Sequence, residues 1–288
     1  MLKGNLFLLA SSLFFALSTV FAKFLLEDSA IPAAEITFFR FSIGFIFAAF
    51  YVIYTKKTII PAKFTFIIMR SFTNTIAVLL FFVGIQYTTV SKSNLLNMTY
   101  PVFVFLLSPL FNKEKITFQH YIFLFLTMAG SYLVVIPDSA AFSLNSINKG
   151  DIFSLLSGVV AGFAINSLRE ARKTDPSYLV LFYLMGVGTI INIFLIIPGF
   201  VIPENKHLLN LALTTAASLL GQVFLTIGYK HVSAADGSII SLSRILFALI
   251  LGIIIFSDPM NIRIAAGSII ILVSILGVSG VFGKKDKE

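Results

Sequence analysis

ADGSIISLSRILFALILGIIIF, residues 235–256, decides the fold. At 1.5 Å per residue a run of this length covers about 33 Å, enough for the ~30 Å hydrocarbon core of a bilayer. Past the acid at its mouth, Asp236, it holds a single charge, Arg244. Working outward, nine more runs of the same kind can be drawn, approximately 4–26, 34–54, 64–86, 91–111, 118–136, 150–168, 176–198, 208–229 and 262–282. Short connections rich in charges and turn formers separate them, such as Lys56-Lys57, Asn112-Lys113-Glu114-Lys115 and Arg172-Lys173-Thr174-Asp175-Pro176. No soluble domain or long linker interrupts the series. The expected fold is an all-α membrane protein of ten transmembrane helices.

Composition agrees. The chain of 288 residues is 58% apolar and 12% charged, against about 25% charged in a soluble domain. The absence of cysteine excludes disulfides, thiolate metal sites and thiol catalysis. Of three histidines, His207 and His231 fall at expected loops. The net charge of +8 is spread singly or in small loop clusters, so nucleic-acid binding is not expected. Val20-Phe21-Ala22 resembles a signal-peptidase site. The apolar stretch around it is too long for a signal core, and a retained first helix is expected.

Basic residues set the orientation. If the chain starts inside, one face receives Lys3, Lys56, Lys57, Lys63, Lys113, Lys115, Arg169, Arg172, Lys173, Lys230, Lys284, Lys285 and Lys287. The other receives Lys149, Lys206 and Arg263, with Lys23 and Lys92 near helix ends. Both termini are expected in the cytoplasm, with the chain in the cell's inner membrane.

The two halves, 1–144 and 145–288, repeat each other. At a spacing of 144, Gly44 matches Gly188, Gly84 matches Gly228 and Glu114 matches Asp258; at 146, Gly4 matches Gly150 and Lys23 matches Arg169. An odd number of helices per repeat forces the second copy to enter from the opposite side. Inverted repeats with a site between them are the architecture of alternating-access carriers.

Several residues, in this order, resemble the drug/metabolite transporter superfamily, specifically its ten-helix EamA-type members. They are Phe38-Phe39-Arg40-Phe41, Arg70, Gly84-Ile85-Gln86-Tyr87, Tyr100-Pro101, Glu114, and Arg244 with Asp258. Asp258 stands where that family usually has glutamate, and Ser243 near where a proline is common. The resemblance covers the whole chain. It implies secondary transport of small metabolites through a cavity lined by both halves, without naming the cargo or the direction.

Candidate site residues follow from the cost of polarity in hydrocarbon, about 2.5–3.5 kcal/mol for a central arginine on insertion scales. Arg244 lies about 13 Å into the ninth run. It either grips a carboxylate or phosphate with its guanidinium fork or is satisfied by neighbouring helices. Arg40 and Arg70 lie nearer the faces, where snorkelling accounts for part of their depth. Arg40 is open to both readings, whereas a structural role leads for Arg70. Lys23 and Lys92 read as interfacial anchors, and Glu114 and Asp258 as fixing helix ends. Lys92 and Asp236 hold equivalent repeat positions, but inversion puts them on opposite faces, so no salt bridge between them is expected. Asn97, Tyr100 and Gln222 are candidates for orienting a solute. Pro101 frees a backbone carbonyl mid-helix, and Gly84 and Gly228 are places where the backbone can flex.

No catalytic residue, cofactor or metal is expected, because no nucleophile–base pair or metal cluster lies at membrane depth. No Asp, Glu or His sits deep in a helix either, which weakens a pump for organic cations. The leading expectation is a transporter of a small anionic or zwitterionic metabolite, amino-acid-like or of S-adenosyl type. Efflux of drugs or hydrophobic cations is the alternative, and a structural or assembly partner is a third reading from another class. The expected partners are a small-molecule solute and the lipid bilayer; the oligomeric state is open, a monomer included. Because the chain lacks cysteine, single substitutions test the orientation. Lys206→Cys should react with an impermeant maleimide on intact cells, and Lys57→Cys only after permeabilisation; the reverse pattern would invert the topology.

Overall fold

Local chemistry marks where each helix starts and stops. In the computed structural model, which describes residues 2–28, 31–88, 90–135, 148–257 and 259–279, the side chain of Asn148 accepts from the Asp151 N–H and Asp151 answers on the Asn148 N–H. That capping box opens α7 (Lys149–Ala171). Pro32 and Pro176, both extended, precede α2 (Ala33–Tyr54) and α8 (Ser177–Ile196). The remaining helices are α1 (Leu2–Asp28), α3 (Phe64–Tyr87), α4 (Val90–Asn97), α5 (Tyr100–Asn112), α6 (Phe118–Val135), α9 (Asn205–Gly228), α10 (Ala234–Ser241), α11 (Ser243–Phe256) and α12 (Ile262–Val278). Among the described residues nine spans are long and apolar enough to cross a membrane, and α12 is a tenth, shorter one of 17 residues. Four residues named from the sequence, Asp258, Lys284, Lys285 and Lys287, lie outside the described residues, as does the boundary at 144/145.

The expected fourth and ninth helices are each broken in two. α4 and α5 cover the fourth run, and α10 and α11 the ninth. His207 is also placed differently: it is buried in the first turn of α9 and not in a loop. The seventh run ends early at Ile196, in a short 3-10 turn over Ile197–Gly199.

The repeat is visible in the backbone. α4 runs 90–97 and α10 runs 234–241, a constant spacing of 144. Lys113 and Ser257, also 144 apart, end α5 and α11 in the left-handed conformation, at φ 56° and 55°. Packing obeys the same exchange of halves. α3 lies along α7 as α1 lies along α9, while α2 pairs with α8 and α6 with α12. Nearly every major contact therefore joins one half to the other, and neither half has a core of its own.

Small residues set how closely the halves approach. A Cβ at Gly84 would lie 2.2 Å from Ser154 Oγ and 3.1 Å from the Gly150 carbonyl, and the matching pair is Gly228 against Gly4. Gly44 seats Met185 and Gly188 seats Phe41, a reciprocal pair at the 144 spacing. At the α6–α12 crossing, a Cβ on Gly130 would come within 2.8 Å of the Gly267 carbonyl. Without a hydrophobic drive between helices in lipid, this close backbone contact supplies much of the association energy. Gly130→Leu should therefore lower the melting temperature of detergent-purified protein, at a cost of about 1–3 kcal/mol for overpacking. Leu272→Ala, on the exposed side of α12, serves as the neutral control.

Candidate functional site

The two helix breaks release backbone groups in the middle of the membrane. In α10, the Leu242 N–H turns back to the Ile239 carbonyl at 3.1 Å, so the Ser238 carbonyl loses the partner an unbroken helix would give it. The Tyr100 hydroxyl takes its place, donating to the Ser238 oxygen at 3.2 Å. One residue pair further, the Ile245 N–H bonds Leu242, and the Ser12 hydroxyl of α1 donates to the freed Ser241 carbonyl at 3.2 Å. In the first half Pro101 lacks an N–H to offer the Asn97 carbonyl. The carbonyls of Leu96 and Asn97 face Gly158 of α7, where a Cβ would lie 3.1 Å from each.

Tyr100 and Arg244 hold equivalent positions 144 apart, each in the first turn after its break, and they interact electrostatically. Arg40 also feels Arg244 as a like charge. Both arginines lie deep among the helices yet retain accessible surface, so neither is packed away in the core. Arg40 donates to Gln222 Oε1 at 3.3 Å and lies 5.4 Å from the centre of the Phe15 ring. Among the described residues no carboxylate pairs with Arg40, Arg70 or Arg244. Arg40 Nε, Gln222 Nε2 and the Ser241 and Ser243 hydroxyls are buried without a hydrogen-bond partner in the protein. The site is a cluster of cations and unmet polar groups, with no carboxylate paired to its arginines among the described residues.

Fold and site together can be set beside known proteins. The EamA-like transporter family matches twice along the chain, over residues 2–136 and 148–280. This chain belongs to the EamA-like transporter family. The pseudopaline exporter CntI of Pseudomonas aeruginosa is 28% identical over 88% of each chain. Solute carrier family 35 member G1 of Mus musculus is 24% identical over 96% of this chain and 78% of its own. A protein of known crystal structure superposes with a TM-score of 0.80 at 12% identity, covering 97% of this chain and 96% of the other; that likeness shows the fold alone. The protein is a multi-pass membrane transporter and not an enzyme.

Within this EamA-type fold the remaining sequence candidates find definite places. The Asn97 amide donates to Ser157 Oγ of α7 at 2.8 Å, which ties the end of α4 to the opposite half. Gly84 and Gly228 sit at tight helix crossings, and Pro101 is buried beside the first break. Lys92 lies near the start of α4, and its ammonium is 2.6 Å from Asp151 near the start of α7, which also accepts from the Thr88 hydroxyl. Asp236 pairs with His120 at 3.0 Å. Glu114 does fix a helix end: it receives the Ala234 N–H that opens α10 and meets Arg169 at 3.2 Å. Sequence reasoning missed Ser12 and Tyr229, whereas Ser241 stands out from the sequence as a polar residue in an apolar run. Neither of the two missed residues signals its role until the partner helix is known.

The bond from Tyr100 to Ser238 is open to test. Tyr100→Phe should destabilise the purified transporter by about 1–3 kcal/mol, the cost of an unsatisfied buried carbonyl, read as a lower melting temperature in detergent. An unchanged melting temperature would mean another donor covers that carbonyl.

Proposed function

We propose that this transporter carries a small anionic or zwitterionic metabolite, amino-acid-like or of S-adenosyl type, by alternating access between its two five-helix halves. The observation that carries the reading is the pair Arg40 and Arg244: two guanidiniums deep in the protein, both with accessible surface and neither with an acid partner. Two like charges side by side in a medium of low dielectric are costly, and an anion between them reverses the sign of the interaction. A hydrophobic cation would meet the same charges unfavourably, which argues against the drug-efflux alternative.

In this reading Arg244 holds the carboxylate in bidentate fashion, Arg40 with Gln222 holds its other side, and Tyr100 fixes the approach. Asn97 and Pro101 shape the first break, while Gly84 and Gly228 are the crossings about which the halves re-pack. Both termini lie in the cytoplasm and the protein works in the inner membrane. The likeness to a pseudopaline exporter supports outward movement of a metabolite.

A thermal-shift screen of the purified protein against amino acids, carboxylates, nucleosides and S-adenosyl metabolites identifies the cargo, since a ligand of the folded state raises its stability. Arg244→Ala should then lower binding of that cargo about ten- to a hundredfold, the worth of a charge-assisted hydrogen bond, while leaving membrane insertion intact. Normal transport by the variant in proteoliposomes would overturn the assignment.

A further inference from the structure

Positions 92 and 236 are equivalent in the repeat, 144 apart, and each lies in the first turn of the short half of a broken helix. Each also makes a charge contact with the opposite half, at opposite ends of the bundle. Lys92 of α4 meets Asp151 of α7 at 2.6 Å, and a lysine and a carboxylate keep their charges between about pH 5 and pH 8. Asp236 of α10 meets His120 of α6 instead, with Nε2 3.0 Å from Oδ1. That oxygen is buried and receives no well-directed hydrogen bond, so charge is what draws the two side chains together. Histidine is charged only when protonated, and it changes charge in that same range. One tie is fixed, and its counterpart can be switched.

The surroundings of His120 leave the switch to this pair. The other acid near it, Glu114 of the loop before α6, is taken up by Arg169 at 3.2 Å and by the Ala234 N–H. α5 offers the Phe105 ring, 6.4 Å away between centres, and carries no charge. Among the described residues α12, the main neighbour of α6, has its one charge, Arg263, at the far end. α4 and α11 touch α6 as well; their charged residues are Lys92, at that far end, and Arg244, deep among the helices. His120 Nδ1 accepts from the Thr117 N–H at 3.1 Å and lies 2.5 Å from its hydroxyl, which accepts once Nδ1 takes up a proton. The side chain is 26% exposed, so a proton reaches it from the water at that end.

We infer that His120 is a proton-binding site on the interface between the halves: protonated, it ties α6 to Asp236 of α10 and holds that end of the bundle together; neutral, it releases the tie. The sign follows from Coulomb attraction. Opening that end breaks the contact, so a bound proton favours the closed arrangement. The stabilisation is present below the imidazole's range and is lost as pH rises through it. With the termini in the cytoplasm, as proposed, this end faces the cytoplasm, and the transporter reads cytoplasmic pH. The inference rests on the alternating-access reading and not on the identity of the cargo.

The test uses the absence of cysteine. Spin labels on Lys115→Cys and His231→Cys, exposed positions in opposite halves beside the pair, report the width of that end in the full-length protein in detergent. The second substitution also removes the other histidine of this end, while His207 lies at the opposite end in α9. Between about pH 5.5 and about pH 8, either side of the ordinary ~6.5 of an imidazole, the ratio of short to long distances should fall about two- to fivefold, the worth of a partly exposed pair. His120→Gln and Asp236→Asn should each remove that dependence. His120→Arg, charged at both values, should keep the short distance throughout, which also shows that a variant at this position folds. Two populations whose ratio ignores pH, or a pH dependence kept in full by His120→Gln, would overturn the proton site and leave alternating access in place. One fixed distance at every pH and in every variant would remove both.

Discussion

A backbone carbonyl released in the middle of a bilayer has to find a donor in the protein, because hydrocarbon offers none. This chain releases several, at the breaks between α4 and α5 and between α10 and α11. At the second break the opposite half supplies the donors, whereas at the first Thr99 of the same half donates its N–H and hydroxyl to the Leu96 carbonyl. Tyr100 and Ser12, both from the first half, donate to Ser238 and Ser241 of the second. Gly158 and Ser157 of the second half face the carbonyls and the amide at the end of α4. The second broken helix is complete only with the other repeat, so that break and the interface between the halves are made by the same contacts.

Inversion makes those contacts reciprocal and divergence makes the site asymmetric. The glycine crossings keep their two-fold partners, Gly84 with Gly150 and Gly228 with Gly4, because backbone spacing tolerates no side chain there. At the centre the equivalent positions differ: a phenol at Tyr100 faces a guanidinium at Arg244. A symmetric pair would bind a solute equally well in two orientations. If the two positions line the site, as proposed, one neutral and one charged member give a solute a single preferred orientation.

The ten runs, the inversion and the depth of Arg244 were legible in the sequence because each rests on a rule with a large energy behind it: length against bilayer thickness, parity of the repeat, and charge at depth. The breaks were only half legible. Pro101 marks the first, but the second has no proline, and Ser243 stands in the corresponding stretch. Partners were not legible at all. The acid that meets Lys92, Asp151, lies 59 residues away on a helix that only the packing of α7 on α4 brings near. By count Arg70 lies within snorkelling reach of a membrane face, but the packing of α3 against α7 and α8 leaves it 1% exposed.

Where the acids lie explains how a cationic centre is compatible with movement. Glu114 meets Arg169, and Lys63 and Lys173 both meet Glu170, at the end of the bundle where α3 begins and α7 ends. Lys92 meets Asp151, and Glu35 receives the Val201 N–H, at the other end. Most of these bonds cross between the halves, so charge pairing closes the ends and leaves the middle unpaired. The acids of these pairs are largely buried, so each pair holds its end of the bundle together. On the proposed anion reading, the guanidiniums at the centre repel until an anion neutralises them. A bound anion therefore favours the arrangements in which the halves close around it. Differential stabilisation of that kind is what a ligand needs in order to shift a conformational equilibrium, and here it arises from placing the acids at the ends and the arginines in the middle.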